Sequence, residues 1–119
     1  MVSKSFLFVN RKAPYGGQAA EMLDAALTAA AFDQQVLLAF LDDGVFQLVK
    51  QQHPKNLGHK DITATFLDLA EYDIDHVWVE RESLSERGLD ESDLLIAAMV
   101  VDRASLSVMM SGVDVVISA

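Results

Sequence analysis

Apolar residues fall into short continuous runs separated by polar stretches and by segments of helical period. The first run is Ser5-Phe-Leu-Phe-Val9, aromatic and β-branched, and it predicts a buried strand. A turn follows over Asn10 to Gly17, punctuated by Pro14 and the Gly16–Gly17 pair. Ala19, Met22, Leu23, Ala26, Leu27 and Ala30 then recur at helical spacing, which predicts an amphipathic helix. Val36-Leu-Leu-Ala-Phe-Leu41 predicts a second buried strand, ended by Asp42-Asp43-Gly44. Val45 to Lys50 fits either a strand or the first turns of a helix, and we favour a short helix.

Gln51 to Lys60 is the most polar stretch, broken by Pro54 and Gly58, and predicts a loop. Asp61 is placed to cap a helix carrying Ile62, Phe66, Leu69 and Ala70 on one face. His76-Val-Trp-Val79 predicts the third strand. Ser83-Leu-Ser-Glu86 has the pattern of a capping box, opening a short helix that stops near Gly88. Within Asp93 to Val101, Leu94-Leu-Ile-Ala-Ala98 predicts the fourth strand. Asp102 is placed to cap a helix with Leu106, Met109 and Met110 inward, ended by Gly112, and Val113 to Ile117 predicts the fifth strand. Strands alternating with helices, with strand runs apolar on both faces, predict a mostly parallel sheet covered on both sides. The expected fold is a single α/β domain over residues 1–119, a three-layer sandwich of five strands with a flavodoxin-like appearance.

Composition narrows the function more than the fold. The nine Lys and Arg residues are scattered against 18 Asp and Glu, giving a net charge of −9. Phosphate backbones need clustered positive charge, so direct nucleic-acid binding is not expected, and an anionic membrane surface repels such a chain. There is no cysteine, which excludes disulfides, thiolate metal sites and thiol nucleophiles within this chain. The N-terminal apolar run spans only Phe6 to Val9, too short for a secretory signal, and no run reaches the ~18 apolar residues of a membrane span. We expect a cytoplasmic protein.

In an open parallel sheet, chemistry sits at the carboxyl ends of the strands. That places Asn10 to Gly17, Asp42 to Gly44, Glu80 to Glu82 and Met99 to Asp102 at the candidate site. Tyr15-Gly16-Gly17 carries neither a Walker pattern nor a dinucleotide fingerprint and reads as a glycine turn. Asp42 and Asp43 are adjacent, so their carboxylates point apart and read as a solvated strand end. His53, His59 and His76 match no ligand spacing, and no Gly-x-Ser-x-Gly elbow exists. No metal or cofactor is expected. Met99, Met109 and Met110 with Leu106 read as core or as an adaptable contact surface, and Phe46 beside Gly44 as an exposed anchor.

Several segments in order resemble the DsrE/DsrF-like sulfur-relay family, and its C-type (TusC) branch most closely. They are Ala13-Pro14-Tyr15-Gly16, Asp43-Gly44-Val45-Phe46-Gln47-Leu48, Asp61 to Phe66, Tyr72-Asp73-Ile74, Trp78-Val79, Ser83-Leu84, Glu86-Arg87-Gly88-Leu89 and the closing Val113 to Ile117. The resemblance implies a heterohexamer with TusB-like and TusD-like subunits, two copies of each chain. It also implies passage of persulfide sulfur from a TusA-like carrier to a TusE-like protein, for 2-thiouridine at the tRNA wobble position. In catalytic members a cysteine sits just past the third strand, eight residues before a glycine. Glu80 stands there in this chain, with Gly88 after it. A carboxylate cannot form a persulfide, and its charge raises the pKa of any neighbouring thiol, so a structural role is expected for Glu80. The implied subunit is noncatalytic by itself, and buries on the order of 2,000 Å² or more against its partners. Its expected interface residues are Tyr15, Phe46, Leu48, Trp78, Met109 and Met110. Two other readings stay open. One is a stand-alone ligand-binding domain using Tyr15, Asp42, Asp43, Glu80 and Arg81. The other is a homo-oligomeric regulatory or interaction protein.

Overall fold

The computed structural model describes residues 4–14, 17–50 and 63–119. Five strands, β1 (Ser5–Asn10), β2 (Gln35–Phe40), β3 (His76–Glu80), β4 (Met99–Val101) and β5 (Val115–Ser118), form one sheet in the order β4-β3-β2-β1-β5. All four pairings are parallel. Among the described residues, the α-helices that connect them are α1 (Gln18–Ala31), α2 (Thr63–Leu67), α3 (Arg81–Glu86) and α4 (Arg103–Ser111). The expected α/β fold with a parallel five-stranded sheet is what the chain adopts.

Strand order dictates where the helices go. From β1 to β4 each step moves one strand in the same direction, and right-handed crossovers keep every connection on one face. The step from β4 to β5 runs back across the sheet, so the same handedness throws α4 onto the opposite face. The core divides accordingly. On the first face Phe8, Leu38, Phe40, Val77 and Val79 pack under α1 and α3 through Leu23, Ala26 and Leu84. On the second face Leu7, Val9, Leu37, Ala39 and Trp78 meet α4 through the single buried residue Leu106. Among the described residues, no helix is long and apolar enough to cross a membrane.

The segment after β2 is a 3-10 helix, Asp42–Leu48, in keeping with the helical preference read from its sequence. Gly44 is obligatory there. A Cβ at this position lies 1.8 Å from the Asn10 carbonyl oxygen, so the motif Asp43 to Leu48 docks directly on the end of β1. Gln47 is buried beneath it and donates from Nε2 to the Lys12 carbonyl at 2.8 Å. The expected helix after Asp61 is visible as α2 and a 3-10 turn, Leu69–Tyr72, with Phe66 and Leu69 buried but Ala70 exposed. Asp61, Ile62 and the polar loop with His53 and His59 lie outside the described residues.

Three boundaries differ from the sequence reading. The fourth strand is Met99–Val101 rather than Leu94–Ala98. The whole stretch from Leu94 is apolar and suits a strand anywhere, but pairing with β3 sets the register at Trp78↔Met99. Leu94 instead makes a lone antiparallel bridge to Val49, and Leu95 N–H donates to the Leu48 carbonyl at 2.6 Å. The capping box is not at Ser83–Glu86, since α3 starts at Arg81 with Glu80 in the N-cap position, and a box forms at Asp90–Asp93. Ser83 is fully buried inside α3, where tertiary partners claim its hydroxyl. The last strand begins at Val115, because Asp114 turns to accept from Ser5 N–H and Oγ. Asp102 does cap α4, accepting from Ser105 N–H at 2.7 Å, and Gly88, at φ 69°, follows the end of α3.

Candidate functional site

Connections diverge between the ends of β3 and β4. The chain leaves β3 into α3 on the first face and leaves β4 into α4 on the second, which opens a crevice at the carboxyl edge. Glu80, the last residue of β3, sits in this crevice and is only 4% exposed. Its side chain leaves the amino end of α3 uncapped and turns across the crevice. Glu80 Oε1 accepts from Arg103 Nη2 at 3.0 Å and from Ser83 Oγ at 2.6 Å. Ser83 Oγ in turn accepts from Asp42 N–H at 2.8 Å. Asp42, held at a left-handed φ of 52°, accepts from Arg11 Nε at 3.1 Å. A second link joins the same helices, since both Glu82 carboxylate oxygens accept from Arg103 N–H at 2.9 and 3.1 Å. The network clasps α3 to α4 and ties both to the ends of β1 and β2.

Burial by itself pushes the Glu80 carboxyl up. The hydrogen bonds from Arg103 and Ser83, with the charges of Arg103 and Arg11, outweigh it and hold the pKa below the usual glutamate value. Arg103 is shifted the other way, up, by its hydrogen bond and ion pair with Glu80. A carboxylate held ionised cannot act as a general acid, and Arg103 and Ser83 both engage its Oε1. The Ser83 hydroxyl is buried and spends its proton on Glu80, so it is no nucleophile. His76 lies at the opposite end of β3, beside Asp75 at 3.6 Å. Among the described residues, no three Asp, Glu or His side chains gather as a metal-binding group.

Beside the clasp, on the second face, lies an open cleft of ≈ 690 Å³. Val9, Leu41, Leu106, Met110 and Val116 form its apolar floor, and Arg11, Asp42, Glu80, Glu86 and Arg103 its rim. The structure therefore brings Asp42 and Glu80 together as anticipated for a strand-end pocket. Asp43 points away to Arg87 Nε at 3.1 Å, and Arg81 lines a separate hollow with Leu84, Leu89 and Val100. Tyr15 lies outside the described residues. Phe46, Met109 and Met110 are half-buried and present part of their surface to solvent. Leu48, at 0% exposure, and Trp78, at 8%, are core residues of the first and second faces, so neither offers a surface for a partner. Arg103 and Ser83, which the sequence reading did not place at the site, complete it. The available signal was topological: β3 and β4 are neighbours, so the residues just past each end must meet.

An open, all-parallel α/β sheet with an ion pair rather than a nucleophile at its strand ends defines the class. The model of the DsrE/DsrF-like family matches residues 4–119. The chain is 42% identical to the "Protein TusC homolog" of Pseudomonas aeruginosa, covering 98% of this chain and 99% of that one. It is 40% identical to the "Intracellular sulfur oxidation protein DsrF" of Allochromatium vinosum, covering 98% and 97%. Among solved structures, the ychN protein from E. coli superposes with a TM-score of 0.82 over 98% of this chain and 99% of that chain at 18% identity, a likeness of fold. This chain belongs to the DsrE/DsrF-like family.

Proposed function

We propose that this chain is the noncatalytic C-type subunit of a cytoplasmic, TusBCD-like sulfur-relay complex serving 2-thiouridine formation at the tRNA wobble position. TusB-like and TusD-like subunits join it in a 2:2:2 heterohexamer. TusA-like and TusE-like carriers exchange sulfur with the cysteine-bearing subunits rather than with this one. The observation that carries the reading is the clasp. Where a relay enzyme of this family needs a thiolate, this chain has Glu80, buried and closed against Arg103 and Ser83. Sulfur transfer needs a thiolate to attack a persulfide and hold its outer sulfur, and the chain has no cysteine anywhere. High identity to a TusC homolog over nearly the whole chain supports the assignment of branch. Half-exposed Phe46, Met109 and Met110, with Tyr15, form the proposed partner contacts.

Co-expression with B-type and D-type subunits, followed by size-exclusion chromatography with light scattering, tests the assembly. An obligate set gives about 80 kDa for six chains near 13.0 kDa each. A chain that elutes apart from both partners sinks the proposal. The DsrF relative supports a second reading, a subunit serving intracellular sulfur oxidation. Deleting the gene separates the two. Loss of tRNA 2-thiouridine favours the first, and intact thiouridine with impaired sulfur oxidation favours the second.

A further inference from the structure

Helix α4 is held to the sheet by few apolar contacts. Of its residues Arg103–Ser111 only Leu106 is buried, whereas α1 buries Ala19, Leu23 and Ala26. Met109, Met110 and Val113 are partly buried against the same second-face cluster, and Val108 is 72% exposed. One flank of the helix is packed incompletely. The cleft of ≈ 690 Å³ runs between Leu106, Ser107 and Met110 of α4 and Val9, Val116 and Ser118 of β1 and β5. A helix of 9 residues is too short to persist in water without tertiary packing.

Polar bonds at the amino end supply what packing does not. Arg103 N–H donates to both Glu82 carboxylate oxygens, at 2.9 and 3.1 Å, and the Arg103 guanidinium donates to Glu80 Oε1 at 3.0 Å. The cap made by Asp102 lies within the helix, on Ser105 N–H, so it stabilises α4 itself without fastening it to the sheet. Beyond the carboxyl end, Asp114 accepts from Ser5 N–H at 2.8 Å and donates its own N–H to Ser5 Oγ at 2.9 Å. From there β5 is paired with β1, from Phe6↔Val115 to Val9↔Ser118. The chain is therefore firmly anchored on both sides of α4, by β4 pairing before it and by Asp114 and β5 after it. Between those anchors the helix rests on Leu106 and on bonds to two carboxylates of one neighbour, α3, and the strand end before it.

We propose that α4 is a lid: the segment from Arg103 to Val113 leaves the sheet and melts as one unit while the five strands, α1 and α3 stay folded. Few buried apolar contacts and surface hydrogen bonds mark the segments of a protein that open at low cost. Opening has two consequences at the site. It uncovers Leu7, Val9, Leu37, Ala39 and Trp78, the buried strand residues of the second face. It also takes Arg103 away from Glu80, which keeps Ser83 as its partner. The crevice at the ends of β3 and β4 is thus closed only while α4 is seated. The inference is independent of the sulfur-relay reading.

Native-state hydrogen exchange of the full purified chain, read amide by amide by NMR, is the test. In wild type the amides from Leu106 to Val113 are expected to share one protection factor, at least about tenfold below those of β1 and β3. Glu82→Ala takes the acceptor from Arg103 N–H and is expected to speed the whole set by a common factor of about ten, the change due to a hydrogen bond with a charged partner. Asp102→Ala removes the cap and is expected to speed the same set about fivefold, because the cap is lost only when the helix melts on release. Neither residue belongs to the core, and each variant tests the lid by itself if the other fails to fold. Amides of α4 as well protected as those of β1 and β3 overturn the proposal. So does acceleration confined to the amides nearest each substitution, which is fraying, or no acceleration at all. Assembly with B-type and D-type subunits is read separately by co-expression, so either idea can fail alone.

Discussion

Replacing Gly44 by alanine is the most demanding test of how the Asp43–Leu48 motif works. The added Cβ falls 1.8 Å from the Asn10 carbonyl oxygen and 2.5 Å from its carbon. Both are backbone atoms, so no side chain can swing away, and the 3-10 helix must move off β1 by more than an ångström. That shift breaks the bond from Leu41 N–H to the Asn10 carbonyl, now 3.1 Å, at the buried junction of β1 and β2. Overpacking costs about 1–3 kcal/mol and an unsatisfied buried backbone group about the same again. We expect a loss of about 3–5 kcal/mol, a large part of the ~5–15 kcal/mol that holds such a domain together. At this chain length that is a fall in Tm of roughly 10–25 °C. Gly88→Ala is the control. Its φ of 69° strains an alanine, but nothing lies within 4 Å of the new Cβ. It is expected to cost about 1–2 kcal/mol, or a few degrees. Thermal melts and urea titrations of both variants decide the matter. A Gly44→Ala chain that melts alongside Gly88→Ala refutes the close-approach argument.

Other substitutions probe the clasp and the thin second face. Glu80→Gln keeps the shape but removes the charge that Arg103 and Ser83 satisfy, and is expected to cost about 1–3 kcal/mol near neutral pH. Because the folded pKa of Glu80 is lowered, its contribution is complete above the ordinary glutamate pKa and disappears as pH falls through the folded value. The urea midpoint of wild type should therefore drop more steeply on acidification than that of Glu80→Gln, and parallel profiles refute the assignment. Ser83→Ala strands the buried Asp42 N–H, at about 1–3 kcal/mol, and a double-mutant cycle with Glu80→Gln should show strong non-additivity. Leu106→Ala removes the one buried anchor of α4 and should cost about 2–5 kcal/mol, read as a lowered urea midpoint.

Much of this protein is written locally. Continuous apolar runs set against the helical period of Ala19 to Ala30 determined an α/β domain with a parallel five-stranded sheet, and the lack of cysteine excluded thiol chemistry within the chain. Asp102 and Gly88 marked helix ends because capping and left-handed turns depend on a residue's own side chain or lack of one. Tertiary structure decided what depends on neighbours distant in sequence. The run from Leu94 to Val101 is strand-like throughout, and only pairing with Trp78 and Glu80 chose Met99–Val101. Ser83 looked like a cap by spacing, but folding carried it to Asp42, 41 residues away. Leu48 and Trp78 looked like anchors for a partner and are core, while Arg103, one unremarkable cation among nine, closes the site on Glu80. Periodicity and capping act within a turn or two of helix or strand. The meeting of Glu80 and Arg103 instead follows from strand order, since right-handed crossovers send α3 and α4 to opposite faces of adjacent strand ends.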